Sequence, residues 1–261
     1  MKMSGNTILI TGGSSGIGFE LAKQLLALGN TIVVSGRNAH NLEAARGKLR
    51  GFHAIQSDVS EPGAIRSLHE QVVHDFPALN MLINCAGIMR KIDLQKVGAN
   101  IEDVTREVDI NLNGTIWMDV QFLPHFKRQD NAAIVNISSG LAFVPMPISP
   151  IYSATKTAIH AFTLSLRVQL KNTNIKVFEL APPGTDTPLF HGEFTKGDTG
   201  GMKPMPVETL AKRAIAGMEK DVLEIRPGLA NALKLGSRIA PNFMLNQTSK
   251  SVDLMHAQQD G

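Results

Sequence analysis

The chain has 261 residues, of which 43% are hydrophobic and 19% charged, and its formal net charge is +3. This composition is typical of a globular protein, while the small charge, with no dense run of lysine and arginine, argues against nucleic-acid binding. No apolar stretch approaches the ~18 residues of a membrane-spanning helix, and the single cysteine, Cys85, excludes an intrachain disulfide. Together with a short polar N-terminus, these features predict a cytoplasmic protein.

Short β-rich runs alternate with longer helical stretches along the whole chain. Strands are predicted at residues 7–10, 31–35, 53–57, 80–84, 133–137, 175–180 and 222–226. Helices are predicted at residues 16–28, 38–49, 61–76, 101–126, 149–170 and 206–220. Several strands are apolar at successive positions, which suits strands that are buried on both faces of a parallel sheet. The pattern predicts an α/β fold of the Rossmann type, a doubly wound parallel sheet of about seven strands.

Residues 1–226 are predicted to form one domain, because no linker interrupts the alternation of strands and helices. Residues 184–206 are rich in glycine and proline, and we expect them to form a mobile loop over a functional site. Residues 227–261 are expected to form a helical tail that packs on this domain or on a neighbouring subunit. A substrate lid or a helix on a membrane surface are the alternatives for this tail.

A glycine-rich turn, residues 11–18, follows the first strand and precedes the first helix. It reads Thr-Gly-Gly-Ser-Ser-Gly-Ile-Gly, and its glycines permit a tight turn and a close approach to a pyrophosphate. The N–H groups and the dipole of the following helix favour an anion at the same place. The strand–turn–helix context therefore predicts a dinucleotide-binding domain rather than an ordinary loop.

A second set of polar residues is suited to proton transfer. Tyr152 and Lys156 are four residues apart on a predicted helix and share one face. A nearby ammonium lowers the pKa of a phenol from its usual ~10, so Tyr152 could exchange a proton near neutral pH. Ser139 could donate a hydrogen bond to a substrate oxygen on which charge develops. Taken singly, these residues could also be an amphipathic helix face, a turn or a helix cap.

The turn spacing TGxxxGxG and the later motifs together resemble the classical short-chain dehydrogenase/reductase family over roughly residues 5–226. Ser139 lies 13 residues before Tyr152, and residues 152–156 form a YxxxK motif. The resemblance implies a catalytic set of Ser139, Tyr152, Lys156 and Asn111. It further implies that Tyr152 is the acid/base, that Lys156 also binds the nicotinamide ribose, and that Asn111 holds a water linking Lys156 to solvent.

The resemblance also implies which residues bind the dinucleotide. The glycines line the pyrophosphate, Asp58 and Val59 hold the adenine, residues 84–87 match a motif that stabilises the central strand, and residues 182–187 border the nicotinamide carboxamide. The full set is Gly12, Ser14, Ser15, Gly16, Ile17, Gly18, Arg37, Asn38, Asp58, Val59, Asn84, Ala86, Gly87, Tyr152, Lys156, Pro182, Thr185 and Thr187. One departure is Pro182-Pro183 in place of Pro-Gly, which leaves the path of this loop open.

The end of the second predicted strand bears on the choice of cofactor. An acidic side chain there would bind a ribose 2′-hydroxyl and repel a 2′-phosphate, but this chain has Gly36 followed by Arg37. A guanidinium can pair with a phosphate, so NADP(H) is the predicted cofactor, with NAD(H) possible. Arg37 could instead stack on the adenine or face solvent. Ser15, at a position that is often basic in the family, adds no charge.

The substrate is predicted to be a small, apolar carbonyl or alcohol compound. The candidate pocket residues are Leu141, Phe143, Met146 and Phe190, although each could equally be a core residue. No metal site is expected. Within the family, the Pro182-Pro183 variant and the sequence of residues 225–231 resemble the DltE-like oxidoreductases, whose description does not supply a substrate.

Two other functional classes remain open. One is a regulatory protein that senses NADP(H) without turnover, although such a sensor has no need of all four catalytic residues. The other is an epimerase or dehydratase of the extended family, which would be expected to carry an additional substrate domain. The family resemblance implies a homodimer or homotetramer formed through the two long helices, 101–126 and 149–170.

Overall fold

The computed structural model describes residues 1–96, 98, 101–195 and 197–257. Within these residues, seven parallel strands form one sheet with the order β3-β2-β1-β4-β5-β6-β7. The strands are β1 (Thr7–Thr11), β2 (Thr31–Gly36), β3 (His53–Gln56), β4 (Leu79–Asn84), β5 (Ala132–Ile137), β6 (Ile175–Leu180) and β7 (Glu224–Ile225). The chain winds one way from β1 to β3 and the other way from β4 to β7. The predicted single-domain, doubly wound sheet is confirmed.

Helices cover both faces of the sheet. In the described part of the chain they are α1 (Gly16–Ala27), α2 (Ala39–Lys48), α3 (Pro62–Asp75), α4 (Ile101–Val104), α5 (Gly114–Phe126), α6 (Pro150–Gln169), α7 (Pro188–His191), α8 (Val207–Glu219), α9 (Leu229–Ile239) and α10 (Pro241–Ala257). A π-helical segment, Val108–Asn113, and a 3₁₀ turn, Gly140–Ala142, complete the list of helical elements. None of the described helices is both long and apolar enough to cross a membrane.

The successive apolar residues of the strands are explained by two cores, one on each face of the sheet. Ile8 and Ile10 of β1 pack into a core with residues of α1, α2 and α8. Leu9, between them, points to the opposite core, which α3, α5 and α6 close. All six residues of β5 are buried. Side chains alternate between the faces of a strand, so a strand covered on both sides needs an apolar residue at nearly every position.

The predicted long helix over residues 101–126 is wrong as a continuous α-helix. The short α4 ends at Val104, and the chain passes through the π-helical segment before α5 begins at Gly114. Tertiary contacts fix this irregular path. The buried carboxylate of Glu107 accepts a hydrogen bond from the backbone N–H of Arg90 at 2.9 Å, and a Cβ on Gly114 would lie 2.8 Å from the carbonyl oxygen of Val59.

The described part of the tail forms α9 and α10, and both touch the rest of the domain. Ala230 of α9 is fully buried. Met255 of α10 packs with Met146 and Ile148 in a small apolar cluster that is separate from the two main cores. Residues 258–261 lie outside the described residues.

Candidate active site

A cavity of about 770 Å³ opens at the carboxyl ends of the strands. The direction of winding changes between β1 and β4, so the crossovers diverge there and leave a crevice. One side of the cavity, which we call the glycine-turn side, is lined by residues 12, 14–17, 35–38, 41 and 57–59. The other is lined by Leu141, Met146, the 184–206 loop and residues of α9 and α10, which we call the α10 side.

The glycine turn lies close against the end of β4. Gly12 has a φ of +65°, and a Cβ at this position would lie 2.7 Å from the Cα of Ala86. The hydroxyl of Thr11 accepts hydrogen bonds from the backbone N–H groups of Cys85 and Ala86, at 3.0 and 3.1 Å. Gly18 does not line the cavity, because it packs behind the turn, where a Cβ would lie 2.6 Å from the carbonyl oxygen of Gly12.

The ends of β2 and β3 form the rest of the glycine-turn side. Ser35, Arg37 and Asn38 all line the cavity. The hydroxyl oxygen of Ser35 is buried and has no hydrogen-bond partner among the described residues. The side chain of Asn38 caps α2 by accepting a hydrogen bond from the N–H of Asn41.

Asp58 and Val59, which follow β3, also line the cavity. One carboxylate oxygen of Asp58 accepts hydrogen bonds from the backbone N–H and the hydroxyl of Ser60, at 2.9 and 2.7 Å. This local contact fixes the turn at the predicted adenine position. Within the described residues, Asp58 and Asp198 are the acidic side chains that line the cavity, so no carboxylate lies at the end of β2.

Ser139, Tyr152 and Lys156 come together on one wall of the cavity. Tyr152 and Lys156 lie on α6, and Ser139 follows β5. The hydroxyl of Ser139 acts on the Tyr152 phenol as a hydrogen-bond partner that lowers its pKa. The Nζ of Lys156 lies 5.5 Å from the centre of the Tyr152 ring and donates a hydrogen bond to the carbonyl oxygen of Ile137 at 2.8 Å. The three predicted side chains therefore share one site.

Burial changes the pKa values of the ionisable side chains on this wall. It raises the pKa of Tyr152 to about 12, against the opposing effect of the hydrogen bond from Ser139. It lowers the pKa of Lys156 to about 8. The expected lowering of the Tyr152 pKa by Lys156 is not seen in this arrangement, where removal of the phenolate from water is the largest effect.

Asn111 lies behind this wall, in the π-helical segment, and does not line the cavity. Its side-chain oxygen accepts a hydrogen bond from the N–H of Ile88 at 2.8 Å, and its amide donates to the carbonyl oxygen of Ile88 at 2.9 Å and to Thr155 at 3.2 Å. A Cβ on Gly87 would lie 3.2 Å from the Asn111 side-chain oxygen and 3.8 Å from the Nζ of Lys156. Asn111 thus holds the 86–89 segment against α6, and its role toward a water stays a prediction.

The wall that carries Ser139 is supported by a buried carboxylate that sequence reasoning missed. Glu179 of β6 is fully buried. It accepts a hydrogen bond from the Ser138 hydroxyl at 2.5 Å, and its second oxygen lies 2.8 Å from Nδ1 of His160 on α6. Three elements are therefore tied together next to Ser139. The acidic residue within an apolar strand was the available sequence signal, since buried carboxylates need partners.

Two residues predicted to bind ligands point elsewhere. The side chain of Asn84 donates hydrogen bonds to Asp119 at 2.6 Å and to Asn136 at 2.9 Å, inside the core. Phe143 does not line the cavity. Its ring meets His160 edge-on at 5.1 Å, and the ammonium of Lys234 lies 5.3 Å from its centre. The sequence did not indicate the orientation of either side chain, because the partners of both come from segments that are distant in sequence.

The structure gives a definite path to the loop after β6. The carbonyl oxygen of Pro182 accepts a hydrogen bond from the N–H of Gly140 at 2.7 Å, so the double proline does not disturb the strand end. Gly184 packs against Phe190, where a Cβ would lie 2.9 Å from the ring, and Thr185 pairs with Met205. The remaining predicted residues on this side that line the cavity are Leu141, Met146, Pro182, Thr185, Thr187 and Phe190.

Several lining residues were not singled out from the sequence. They come from the 184–206 loop and from the tail, and include Phe194, Asp198, Leu233, Gln247 and Leu254. The tail residues Gln247, Lys250, Ser251 and Leu254 recur at helical spacing, a pattern that indicates one face of a helix.

Comparison with known proteins agrees with the fold and the motifs. Residues 6–197 match the family described as short chain dehydrogenase. A curated relative, the uncharacterized oxidoreductase DltE of Bacillus subtilis, is 44% identical over 189 residues, which are 72% of this chain and 75% of that protein. The predicted resemblance to DltE-like oxidoreductases is thereby confirmed.

Solved structures give the same result. The crystal structure of a 3-ketoacyl-(acyl-carrier-protein) reductase from Brucella melitensis complexed with NADH has a TM-score of 0.75 and 27% identity, covering 83% of this chain and 91% of that one. A short chain dehydrogenase from Burkholderia cenocepacia in complex with NADP has a TM-score of 0.81, covering 95% and 99%, and at 21% identity supports the fold alone. The chain therefore belongs to the short-chain dehydrogenase family, whose members are NAD(P)-dependent oxidoreductases.

Proposed function

We propose that the protein transfers a hydride between NADP(H) and a small, apolar carbonyl or alcohol compound, with Tyr152 as the acid/base. The observation that carries this proposal is the meeting of Ser139, Tyr152 and Lys156 on a wall of the same cavity that the glycine turn lines. One space thus offers room for a dinucleotide and a group that can transfer a proton beside it.

The glycine-turn side fits a dinucleotide. Gly12 leaves space that a Cβ would fill, and α1 begins at Gly16 with its N–H groups toward the turn, as a pyrophosphate requires. The buried hydroxyl of Ser35 lacks a partner and could be satisfied by a bound ribose. Arg37, exposed on the cavity wall with no acidic residue at the strand end, favours a 2′-phosphate.

A bound nicotinamide would supply or accept the hydride. Because the pKa of Tyr152 is about 12, its phenol is protonated at neutral pH and can donate a proton to the oxygen of a carbonyl substrate. Ser139 can hydrogen-bond to the same oxygen as negative charge develops. The Lys156 ammonium favours the phenolate that remains after the proton has left. In the alcohol-oxidising direction the same groups act in reverse.

The decisive experiment is turnover of a panel of ketones and alcohols with both nicotinamide cofactors, by the wild-type protein and by Tyr152→Phe. The substitution removes the hydroxyl that transfers the proton, so kcat/KM should fall at least about 100-fold while the Kd for NADPH changes little. Ser165→Ala, on the same helix but exposed, is the matched control and should keep full activity.

Two results would contradict the proposal. If Tyr152→Phe retained turnover, Tyr152 would not be the acid/base. If the wild-type protein bound NADPH but turned over no compound of the panel, the sensor hypothesis would be favoured.

A further inference from the structure

The α10 side of the cavity is lined mainly by apolar side chains, with one lysine among them. Leu141, Met146, Phe190 and Phe194 line this side. Residues of α10 complete it at positions 247, 248, 250, 251 and 254. Because residues at i, i+3, i+4 and i+7 lie on one face of an α-helix, Lys250 belongs to the face of α10 that is turned toward the cavity.

Three cationic side chains line the cavity within the described residues, and Lys250 is the one on the α10 side. The other two are Arg37, on the glycine-turn side, and the buried Lys156. The acidic group on the α10 side, Asp198, is already neutralised, because its carboxylate lies 2.8 Å from the Nζ of Lys91 and accepts hydrogen bonds from Thr195.

The exposed side chain of Lys250 forms no hydrogen bond or ion pair within the described part of the chain. An ammonium is a compact cation with three donors, and its natural partner is an anionic oxygen group such as a carboxylate or phosphate. The apolar side chains that line the same cavity as Lys250 and Tyr152 would contact a hydrocarbon segment. The α10 side therefore combines apolar contacts with one cationic group.

We infer that the substrate is an amphipathic carbonyl compound, or the corresponding alcohol, whose apolar segment carries an anionic group that Lys250 binds. This inference rests on the proposed function for the position of the carbonyl oxygen at Ser139 and Tyr152. The anion site itself does not depend on turnover, which allows the two ideas to be tested separately.

The first experiment measures reduction by NADPH of oxo-octanoic acids, with the oxo group at each internal position, against their methyl esters. Wild-type kcat/KM should favour the acid over the ester by about three- to fivefold, the range of a partly exposed charge pair, and added salt should reduce this ratio. Lys250→Met should bring the ratio of acid to ester kcat/KM close to one, and Lys250→Arg should preserve the wild-type ratio. The matched control is Lys212→Met, an exposed lysine of α8 that does not line the cavity.

The second experiment is calorimetric and uses ligands that cannot react. Octanoate and octyl phosphate should bind the NADP⁺-saturated wild-type protein more tightly than methyl octanoate, and Lys250→Met should remove the difference. The relative affinity of the two anions shows whether a carboxylate or a phosphate is preferred. If these preferences appear but no oxo compound is reduced, the anion site stands and the proposed function fails. If esters are reduced as well as acids, or the preference survives Lys250→Met, the inference is overturned while the proposed function stands.

Discussion

At the scale of single residues, the site depends on burial as much as on residue type. The Tyr152–Lys156 spacing places both groups on one face of α6, but the free energy of each ionised form is set by the surrounding wall. Burial raises the pKa of the phenol to about 12 and lowers that of the ammonium to about 8. Lys156 is therefore the group of this pair that titrates nearest to neutral pH.

This gives a prediction for the dependence of the proposed reductase activity on pH. As pH rises through about 8, Lys156 loses its proton and no longer favours the phenolate of Tyr152, so kcat/KM should fall. The pH profile of kcat/KM, which reports groups of the free enzyme, is the measurement. Lys156→Ala should lower kcat/KM, and added alkylamines should restore part of it, with the falling limb moved toward the pKa of each amine. A limb that stays near pH 8 in Lys156→Ala would assign it to another group.

Arg37 gives a second prediction at this scale. If its guanidinium pairs with a 2′-phosphate, Arg37→Ala should lower kcat/KM with NADPH about tenfold, the magnitude expected for a charge-assisted hydrogen bond, and change it little with NADH. Arg46→Ala is the matched control, because Arg46 is an exposed residue of α2 that pairs with Glu43 and does not line the cavity. A wild-type preference for NADH would contradict the NADP(H) proposal.

At the scale of elements, a buried polar cluster joins α5 to the two central strands. Asp119 of α5 is fully buried and accepts hydrogen bonds from the amides of Asn84 on β4 and Asn136 on β5, at 2.6 and 2.8 Å. Burial raises the pKa of Asp119 to about 7, although both amides oppose the shift. The cluster holds β4 and β5 directly below the cavity, but burying the ionised carboxylate of Asp119 costs free energy.

The expected effect of Asp119 on stability follows from the raised pKa. Between the usual Asp pKa of ~4 and about 7, the folded state binds a proton that the unfolded state has released. The contribution of Asp119 to the free energy of unfolding should therefore decrease as pH rises through this window, by up to about 1.4 kcal/mol per pH unit, and level off above it.

Asp119→Asn removes this titration and should make the variant more stable, relative to the wild-type protein, at pH 8 than at pH 5. Urea unfolding at several pH values is the measurement. The loss or rearrangement of one hydrogen bond would change stability equally at all pH values, so the slope is the diagnostic quantity. A difference in unfolding free energy that is independent of pH would show that Asp119 does not titrate in this window.

At the scale of the whole molecule, we expect a homodimer or homotetramer that uses α5 and α6. Val120 of α5 and Val168 of α6 are 58% and 66% exposed, and apolar residues so exposed on two helices that pack on the same core mark a candidate contact surface. Val120→Asp and Val168→Asp should shift the protein toward monomers in analytical ultracentrifugation. Val222→Asp, an exposed valine beside β7, is the control, and a wild-type monomer at micromolar concentration would contradict the expectation.

The overall architecture of the molecule was predicted well from sequence patterns. Successive apolar residues in the strands and amphipathic helices between them indicate a covered parallel sheet, because burial on two faces imposes that pattern. The segment that failed, residues 101–126, contains the weak helix formers Asn111, Asn113 and Gly114, and contacts of Glu107 with Arg90 and of Gly114 with Val59 fix its irregular path. Local propensity cannot register a partner that lies many residues away.

Residue order alone is enough to predict the order of the elements, the glycine turn and the spacing of Ser139, Tyr152 and Lys156, because these features are local or periodic along the chain. The packing of the folded chain was needed to show that Asn84 and Phe143 face away from the cavity, that burial raises the pKa of Tyr152, and that Lys250 of α10 lines the cavity. Each of these depends on which distant segments surround a side chain, and it is that surrounding that sets both its contacts and its charge.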